Sequence, residues 1–354
     1  MPNDFCRRLG IEYPILLAPM AGETAKPALG VAVSQAGGLG SLGVSYMAPA
    51  AIRDAIRAIR SGTDRPFNIN LFTPTIWRAE PERIAAYRDA LAAAHADLGI
   101  PPPDLPNRYE ESFDEQFAII LEEAPPVFSF TFGMPSPEQM AALRQHGILI
   151  VGTATTVAEA KALDELGVDA IIAQGAEAGG HRGSFLAPAE QSLIGTMALV
   201  PQIVSTVKLP VIAAGGIGDG RGVAAALCLG AQAVALGSAF LLADETALNP
   251  AWRAALQSEA VHETALTRAF SGRHARGIRN RFLDRLAGDD EAIPDYPVAN
   301  AMSRSMRAAA AKAGRPEYLS LWAGQAASLA RPEPAAAILR RIVAETRQAL
   351  AVTL

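Results

Sequence analysis

The 354-residue chain has only two cysteines, Cys6 and Cys228, so no disulfide framework supports it, and the two are too far apart to suggest a metal knuckle. Aromatic residues make up 6% and the formal net charge is −5, a balance that argues against a dedicated nucleic-acid binder. No stretch approaches the roughly 18 uninterrupted apolar residues of a membrane span. The opening MPNDFCRRLG lacks the apolar core of a secretory signal. The expectation is a cytoplasmic protein that engages neither nucleic acid nor membrane. With 30 glycines and 25 prolines the chain is turn-rich yet short of low complexity, and half of it is hydrophobic, ample for a full core.

Short apolar runs at 15–20, 39–44, 67–72, 127–132, 148–155, 170–176, 211–216 and 233–238 alternate with alanine-rich amphipathic stretches. Such alternation means βαβ units and a parallel sheet. Eight strands point to an α/β fold of the closed (β/α)8 TIM-barrel type, with a doubly wound open sheet as the alternative. The open sheet would carry a dinucleotide motif after its first strand. The literal G-x-G-x-x-G of Gly38, Gly40 and Gly43 instead follows a helical stretch and leads into a strand. It reads as a decoy, with Gly37 or Gly38 ending the helix. The barrel is assigned to residues 1–245. Within it, residues 73–126 form a long insertion after strand 3, with helices at 80–98 and 113–123, in the place of a lid or substrate element. Residues 246–354 read as mostly helical. They are expected to start with the eighth barrel helix and to continue as a cover over the substrate pocket or a contact with a second subunit in a homodimer.

Barrel sites form where the strands end. Strand 1 ends in Ala18-Pro19-Met20. Strand 3 presents Asn68 and Asn70 on the face opposite Phe67, Ile69 and Leu71. Strand 6 runs through Gln174 into a loop holding Glu177, Gly179, Gly180 and His181. After strands 7 and 8, Gly215, Gly216 and Gly218, then Gly237 and Ser238, bring backbone N–H groups to the usual phosphate position of this fold. Among five histidines, His181 alone sits in a glycine-flanked loop at a strand end, where it can serve as general base or hydrogen-bond donor. His95, His146, His262 and His274 read as solvated surface. Glu177 suits the capping of backbone N–H groups, and Cys228 reads as helix core. Between Arg268 and Arg285 six arginines accompany a lone Asp284. That segment reads as a solvated or subunit-facing helix, or as a positive rim for an anionic ligand. Tyr296, Asn300 and Arg304 are spaced i, i+4, i+8, one face of a helix.

The segments ILLAPMAG (15–22), AVSQAGGLGSLG (32–43), NLF (70–72), QGAEAGGHRG (174–183), AAGGIGDGRGVAAALCLGAQAVALGSAF (213–240) and LWAGQ (321–325) resemble, in order and over nearly the whole chain, the nitronate monooxygenases, formerly called 2-nitropropane dioxygenases. The resemblance implies a flavoprotein oxidoreductase with non-covalent FMN. Its reaction would be oxidation of alkyl nitronates, propionate 3-nitronate first among them, and of nitroalkanes, with O2 to carbonyl compounds plus nitrite or nitrate. It implies contacts from Ala18, Met20, Asn70 and Gln174 to the flavin ring or ribityl part. Gly179, Gly216, Gly237 and Ser238 would hold the ribityl chain and phosphate, with Pro19, Gly215 and Ala235 in the same cofactor-binding set. His181 matches the family's catalytic base. Tyr109, Tyr296, Asn300 and Arg304 are assigned to the substrate pocket; bacterial members often carry Tyr, Tyr and Lys at the spacing of the last three, and often Gln at position 235. The same superfamily includes NAD(P)H-dependent FMN reductases of quinones and enoyl thioesters, which is the alternative reading. A flavin-free barrel lyase or isomerase gripping its own phosphate is a third.

Overall fold

The computed structural model describes residues 3–351. Strands β1 (Ile15–Leu17), β2 (Gly40–Gly43), β3 (Phe67–Phe72), β4 (Val127–Thr131), β5 (Leu149–Ala154), β6 (Ala170–Gln174), β7 (Val211–Ala214) and β8 (Ala233–Leu236) pair in parallel in chain order, and β8 lies beside β1. A parallel bridge between Leu16 and Leu39, with Leu17 N donating to Leu39 O at 2.9 Å, joins β1 to β2. The sheet therefore closes into the TIM barrel expected from the eight runs.

Each strand is buried on both faces, which is why most of the runs lack polar alternation. Strands β3 (FNINLF) and β4 (VFSFT) alternate, and their polar side chains Asn68, Asn70 and Ser129 are buried all the same. Ile15, Leu17, Ala213 and Val234 pack outward on the helices, while Leu16, Ile172, Ile212 and Ala233 point into the barrel. The inward set meets Phe5, Cys6 and Leu9 of the helix Asp4–Leu9, which plugs one end. Above that plug a polar layer crosses the barrel. Asn68 Nδ2 donates to Ser41 Oγ (3.2 Å) and Ser129 Oγ (2.9 Å), and Asn70 Nδ2 donates to Ser129 Oγ (2.9 Å). Gly40 and Gly43 lie in β2, and Gly37, at φ +96, ends the preceding helix, so the glycine motif at 38–43 is a strand entry.

The C-terminal region departs from the expected helical cover. Thr264–Thr267 and Ala275–Ile278 form an antiparallel hairpin, and its second strand pairs with a two-residue strand, Gly180–His181. Nor does the eighth barrel helix begin near 246. The helix Ala335–Leu350 takes that place, packing Ile338, Leu339 and Ile342 against Gly220–Cys228 and Pro27–Gln35. Within the insertion, Phe113–Glu123 joins the barrel ring beside Pro49–Gly62, whereas Pro81–Leu98 turns Tyr87, Leu91 and Ala94 into a second core shared with the C-terminal residues. Cys228 is exposed rather than core, because it is the last residue of its helix, past the stretch from Val223 to Ala226 that packs. Among the described residues no helix is long and apolar enough to cross a membrane, and no cluster of His, Cys, Asp or Glu could hold a metal ion.

Candidate active site

The loop leaving β6 is braced from behind by Arg182, which is almost fully buried and donates to the carbonyls of Gly175 (2.6 Å), Ser192 (2.8 Å) and Gln174 (3.1 Å). Gln174 completes the brace. Its Nε2 donates to His181 O (3.0 Å) and its Oε1 accepts from Gly183 N (2.8 Å). Gly180, at φ +71, turns the chain so that His181 pairs with Ala275 of the C-terminal hairpin. Glu177 caps as its sequence position suggests, accepting from Thr196 N and Oγ1, each at 3.0 Å.

His181 is half-buried among the rings of Phe72, Phe132, Tyr296 and Trp322, whose centroids lie 5.9, 5.6, 6.1 and 5.6 Å away. Its Nε2 is 2.9 Å from Ser271 Oγ, and Ser271 Oγ lies 3.0 Å from Arg273 O. A carbonyl can only accept, so the single hydroxyl proton goes to Arg273 O and the imidazole donates from Nε2. That leaves the lone pair on Nδ1. Burial, and after it the Arg273 and Arg307 charges, push the imidazole down to about 3, so it is neutral at pH 7.

Arg273 lays its guanidinium 3.9 Å over the Phe132 ring and donates to the carbonyls of Arg182 and Ser184. The loop that carries it is pinned from outside: Tyr87 Oη donates to Ala269 O (2.6 Å), Ser303 Oγ to Phe270 O (2.6 Å), and Arg268 pairs with Asp295 (2.6 Å). The arginine-rich segment is thus not one element: Arg268, Arg273 and Arg276 turn inward on the hairpin and its loop, and only Arg281–Arg285 is the solvated helix expected, with Arg281 and Arg285 exposed. Arg276, nearly buried on its second strand, donates to Ala176 O at 3.1 Å.

A cavity opens at the C-terminal ends of the strands. Ala18, Pro19, Met20, Asn70, Gln174, Gly179, Gly215, Gly216, Ala235, Gly237 and Ser238 all line it, together with His181. At one end the N–H groups of Gly216, Gly237 and Ser238 meet no acceptor among the described residues. A Cβ added to Gly237 would meet nothing nearer than Ala18 Cβ at 3.5 Å, so the missing side chain leaves open space there. The one lining carboxylate, Glu177, is engaged by Thr196. Free N–H groups without a competing carboxylate make this end a receptor for an anion such as phosphate. The LWAGQ segment closes it: Gly324 N donates to Ser238 Oγ (2.8 Å) and Gln325 N to Glu177 O (2.9 Å).

The substrate-pocket set is brought together only in part. Tyr296 precedes a cis peptide to Pro297, the helix after it spans only Val298–Met302, and Arg304 begins another, so Tyr296, Asn300 and Arg304 share no helical face. Tyr296 faces His181 and lies beside Tyr46. Asn300 is buried and receives Arg307 Nη2 on both its backbone O (2.7 Å) and Oδ1 (2.9 Å). Arg304 is exposed; the charge that reaches His181 from this segment is that of Arg307. Tyr109 packs against Trp77, with centroids 5.6 Å apart, and does not line the cavity. Two histidines read as surface are not. His95 is buried between Pro101 O and Ser305 Oγ, and His274 is half-buried with its Nε2 3.2 Å from Glu190.

Tyr46, Phe72, Phe132, Ser271, Arg307 and Trp322 complete the surroundings of His181 and escape sequence reasoning as site residues. Phe72 and Phe132 stand at the ends of apolar runs, where the strand-end rule applies; Ser271 and Arg307 carry no such signal.

The family model for nitronate monooxygenase matches residues 5–345. A nitronate monooxygenase of Pseudomonas aeruginosa is 45% identical over 351 residues, 98% of this chain and 100% of its own length. A probable nitronate monooxygenase of Staphylococcus aureus is 41% identical over 347 residues, 98% of each chain. Among solved structures, nitroalkane oxidase from Streptomyces ansochromogenes superposes with a TM-score of 0.90 at 39% identity, covering 96% of this chain and 97% of that one. FabK from Thermotoga maritima gives 0.78 at 29% identity, covering 98% and 97%. The chain belongs to the nitronate monooxygenase family.

Proposed function

We propose that the protein oxidises alkyl nitronates with O2 and bound FMN, with propionate 3-nitronate as a preferred substrate and nitroalkanes entering as neutral precursors. The relatives and the nitroalkane oxidase likeness support the reaction class. The observation that carries the reading is His181, a neutral imidazole with its Nδ1 lone pair free, set among aromatic rings beside an anion cradle.

FMN fits the cavity: the free N–H groups of Gly216, Gly237 and Ser238 would take its phosphate, and Ala18, Pro19 and Met20 line the apolar part. When bound, FMN supplies the redox chemistry by which a nitronate and O2 become a carbonyl compound with nitrite or nitrate. The chain itself binds and orients the substrate and moves a proton. The rings of Phe72, Phe132, Tyr296 and Trp322 keep water from the reacting carbon. Arg273 and Arg307 make the surroundings of His181 positive, which favours an anion. His181 Nδ1 takes the α-proton of a neutral nitroalkane, and the nitronate anion formed beside the ring supplies the opposite charge that the imidazolium lacks in the empty site. A nitronate has already lost that proton and uses only the aromatic walls and the charges.

The test is anaerobic mixing of the FMN-loaded protein with propionate 3-nitronate and, separately, with NADH or NADPH. Bleaching of the flavin by the nitronate and not by the nicotinamides is expected. The opposite pattern would make the protein a reductase. His181→Asn should keep FMN and lose nitroalkane turnover; full activity on both substrate types would remove His181 from its role.

A further inference from the structure

Phe132, the residue after β4, has φ +82, a left-handed conformation that a bulky side chain rarely adopts. Ala124, Phe132 and Ala247 are the non-glycine residues with positive φ among those described, and Phe132 alone of them is aromatic. Such a conformation persists only where the surroundings over-determine it, which directs attention to what the ring does. The ring is buried and stacks on Phe72 with centroids 4.2 Å apart. Its other contacts are an edge approach to His181 at 5.6 Å and the Arg273 guanidinium at 3.9 Å.

Those four residues divide two spaces. Phe72 and His181 line the inner cavity, while Phe132 and Arg273 line an outer groove of about 1320 Å³. The groove continues over Ile76, Met134 and Leu186, all exposed apolar side chains. Inner cavity and outer groove are therefore separated by two stacked layers of side chain, Phe72 and His181 on the inner side and Phe132 and Arg273 on the outer. The Phe132 ring directly backs Phe72 and His181, which wall the reacting carbon.

We propose that Phe132 is the specificity-determining partition of the site. Held by its left-handed backbone and by Arg273, its ring backs Phe72 and so limits the substituent a substrate may carry beyond the reacting carbon; its removal lets the Phe72 ring yield outward and joins the inner cavity to the apolar outer groove. This rests on the nitronate reading given above. A pocket wall of this kind discriminates by a factor of about ten or more per added methylene or two.

The experiment measures kcat/KM for a series of primary alkyl nitronates, from ethane-nitronate to hexane-nitronate, in wild type, Phe132→Ala and Phe132→Leu. The wild type should decline with chain length. Phe132→Ala should raise the hexane-to-ethane ratio about tenfold or more, and Phe132→Leu by a smaller factor. Leu186→Trp, on the outer face, should leave the wild-type profile unchanged and cancel the gain when combined with Phe132→Ala. An unchanged ratio in both Phe132 variants overturns the proposal, and so does a gain that Leu186→Trp leaves intact. Should Phe132→Ala fail to fold, Phe132→Leu alone decides.

A second readout does not depend on turnover. Trp322 lies 5.6 Å from His181, so its fluorescence reports cavity occupation. Titration with straight-chain alkanoates, planar anions shaped like nitronates, should show the same shift toward longer chains in the Phe132 variants. If the wild type oxidises no nitronate, the functional reading falls, and the alkanoate series still decides whether Phe132 is the partition.

Discussion

Ser271 Oγ stands 2.9 Å from His181 Nε2 and lies 3.0 Å from Arg273 O, to which it gives its proton, so one hydroxyl decides which imidazole nitrogen is basic. Ser271 is buried and acts through His181; it is a positioning residue. General-base catalysis is worth about 10²–10⁴ in rate, and part of that depends on the correct tautomer. Ser271→Ala should therefore lower kcat/KM for neutral nitroalkanes by about tenfold or more while leaving nitronates within about threefold. Ser271→Thr, which keeps the hydroxyl, should restore most of the loss. Equal losses on both substrate types would reduce Ser271 to a packing residue.

The depressed imidazole pKa makes a second expectation, with a definite sign. A free histidine titrates near pH 6.5, whereas His181 in the fold takes a proton only at about 3. Between those values the unfolded chain binds more protons than the folded one, so folding stability falls as pH drops from about 6.5 toward 3. Above pH 7 both states carry the neutral ring and the contribution is flat. Urea unfolding of wild type and His181→Asn from pH 8 to pH 4.5 should show the wild type losing stability more steeply below pH 6.5. Parallel curves would mean that His181 titrates normally in the folded protein.

The barrel is legible in the sequence because its strands are buried on both faces and read, β3 and β4 apart, as unbroken apolar runs between amphipathic helices. Cavity-lining residues such as Gly216, Gly237 and His181 are legible for a related reason: they lie in the loops that leave the C-terminal ends of those strands. The hairpin of Thr264–Thr267 and Ala275–Ile278 is not legible. Its strands are short, its second strand carries Arg276, and arginine ordinarily signals solvent. Here the guanidinium is buried against Ala176 O and Thr264 Oγ1, a long-range arrangement that no local pattern announces. Ser271 and Arg273 ride on that hairpin's loop, so misreading the hairpin hides them too. Arg307 escapes by a different route: the regular spacing from Tyr296 points to Arg304, but Ser303 separates two short helices and the half-buried cation is the next arginine along.

Arg182 illustrates a structural charge inside the site. Among the described residues it forms no ion pair, Glu159 and Glu177 acting on it only through their charge; it serves carbonyls of Gln174, Gly175 and Ser192, with its pKa pushed down to about 10 by burial. Removing it leaves those acceptors buried and unpaired, at roughly 1–3 kcal/mol each before relaxation. Arg182→Met should lower unfolding free energy by about 3 kcal/mol or more in urea titrations, and should weaken FMN retention, since the same brace positions Gln174 and the His181 loop. A variant as stable as wild type would show that water replaces the guanidinium at no cost.

Gly272 lies between Ser271 and Arg273 at φ +80, and a Cβ there would come within 2.2 Å of Pro294 O and 2.6 Å of Tyr296 N, both backbone atoms. Two penalties are therefore superposed at this position, the left-handed backbone and a collision with the segment that carries Tyr296. Gly288 separates them: its φ is +82, and a Cβ added there meets nothing within 4 Å. Gly288→Ala should cost only the backbone preference, about 1–2 kcal/mol. Gly272→Ala should cost visibly more, about 3 kcal/mol or above, because the loop segment 294–296 must move to admit the methyl group. That movement displaces Tyr296 from one side of His181 and Ser271 from the other, so Gly272→Ala should also impair nitroalkane turnover while Gly288→Ala does not. Comparing the two by urea unfolding and by kcat/KM distinguishes strain in the turn from its contact with the 294–296 segment. Equal costs would mean that this segment yields freely, and that the position of Tyr296 does not depend on the hairpin loop.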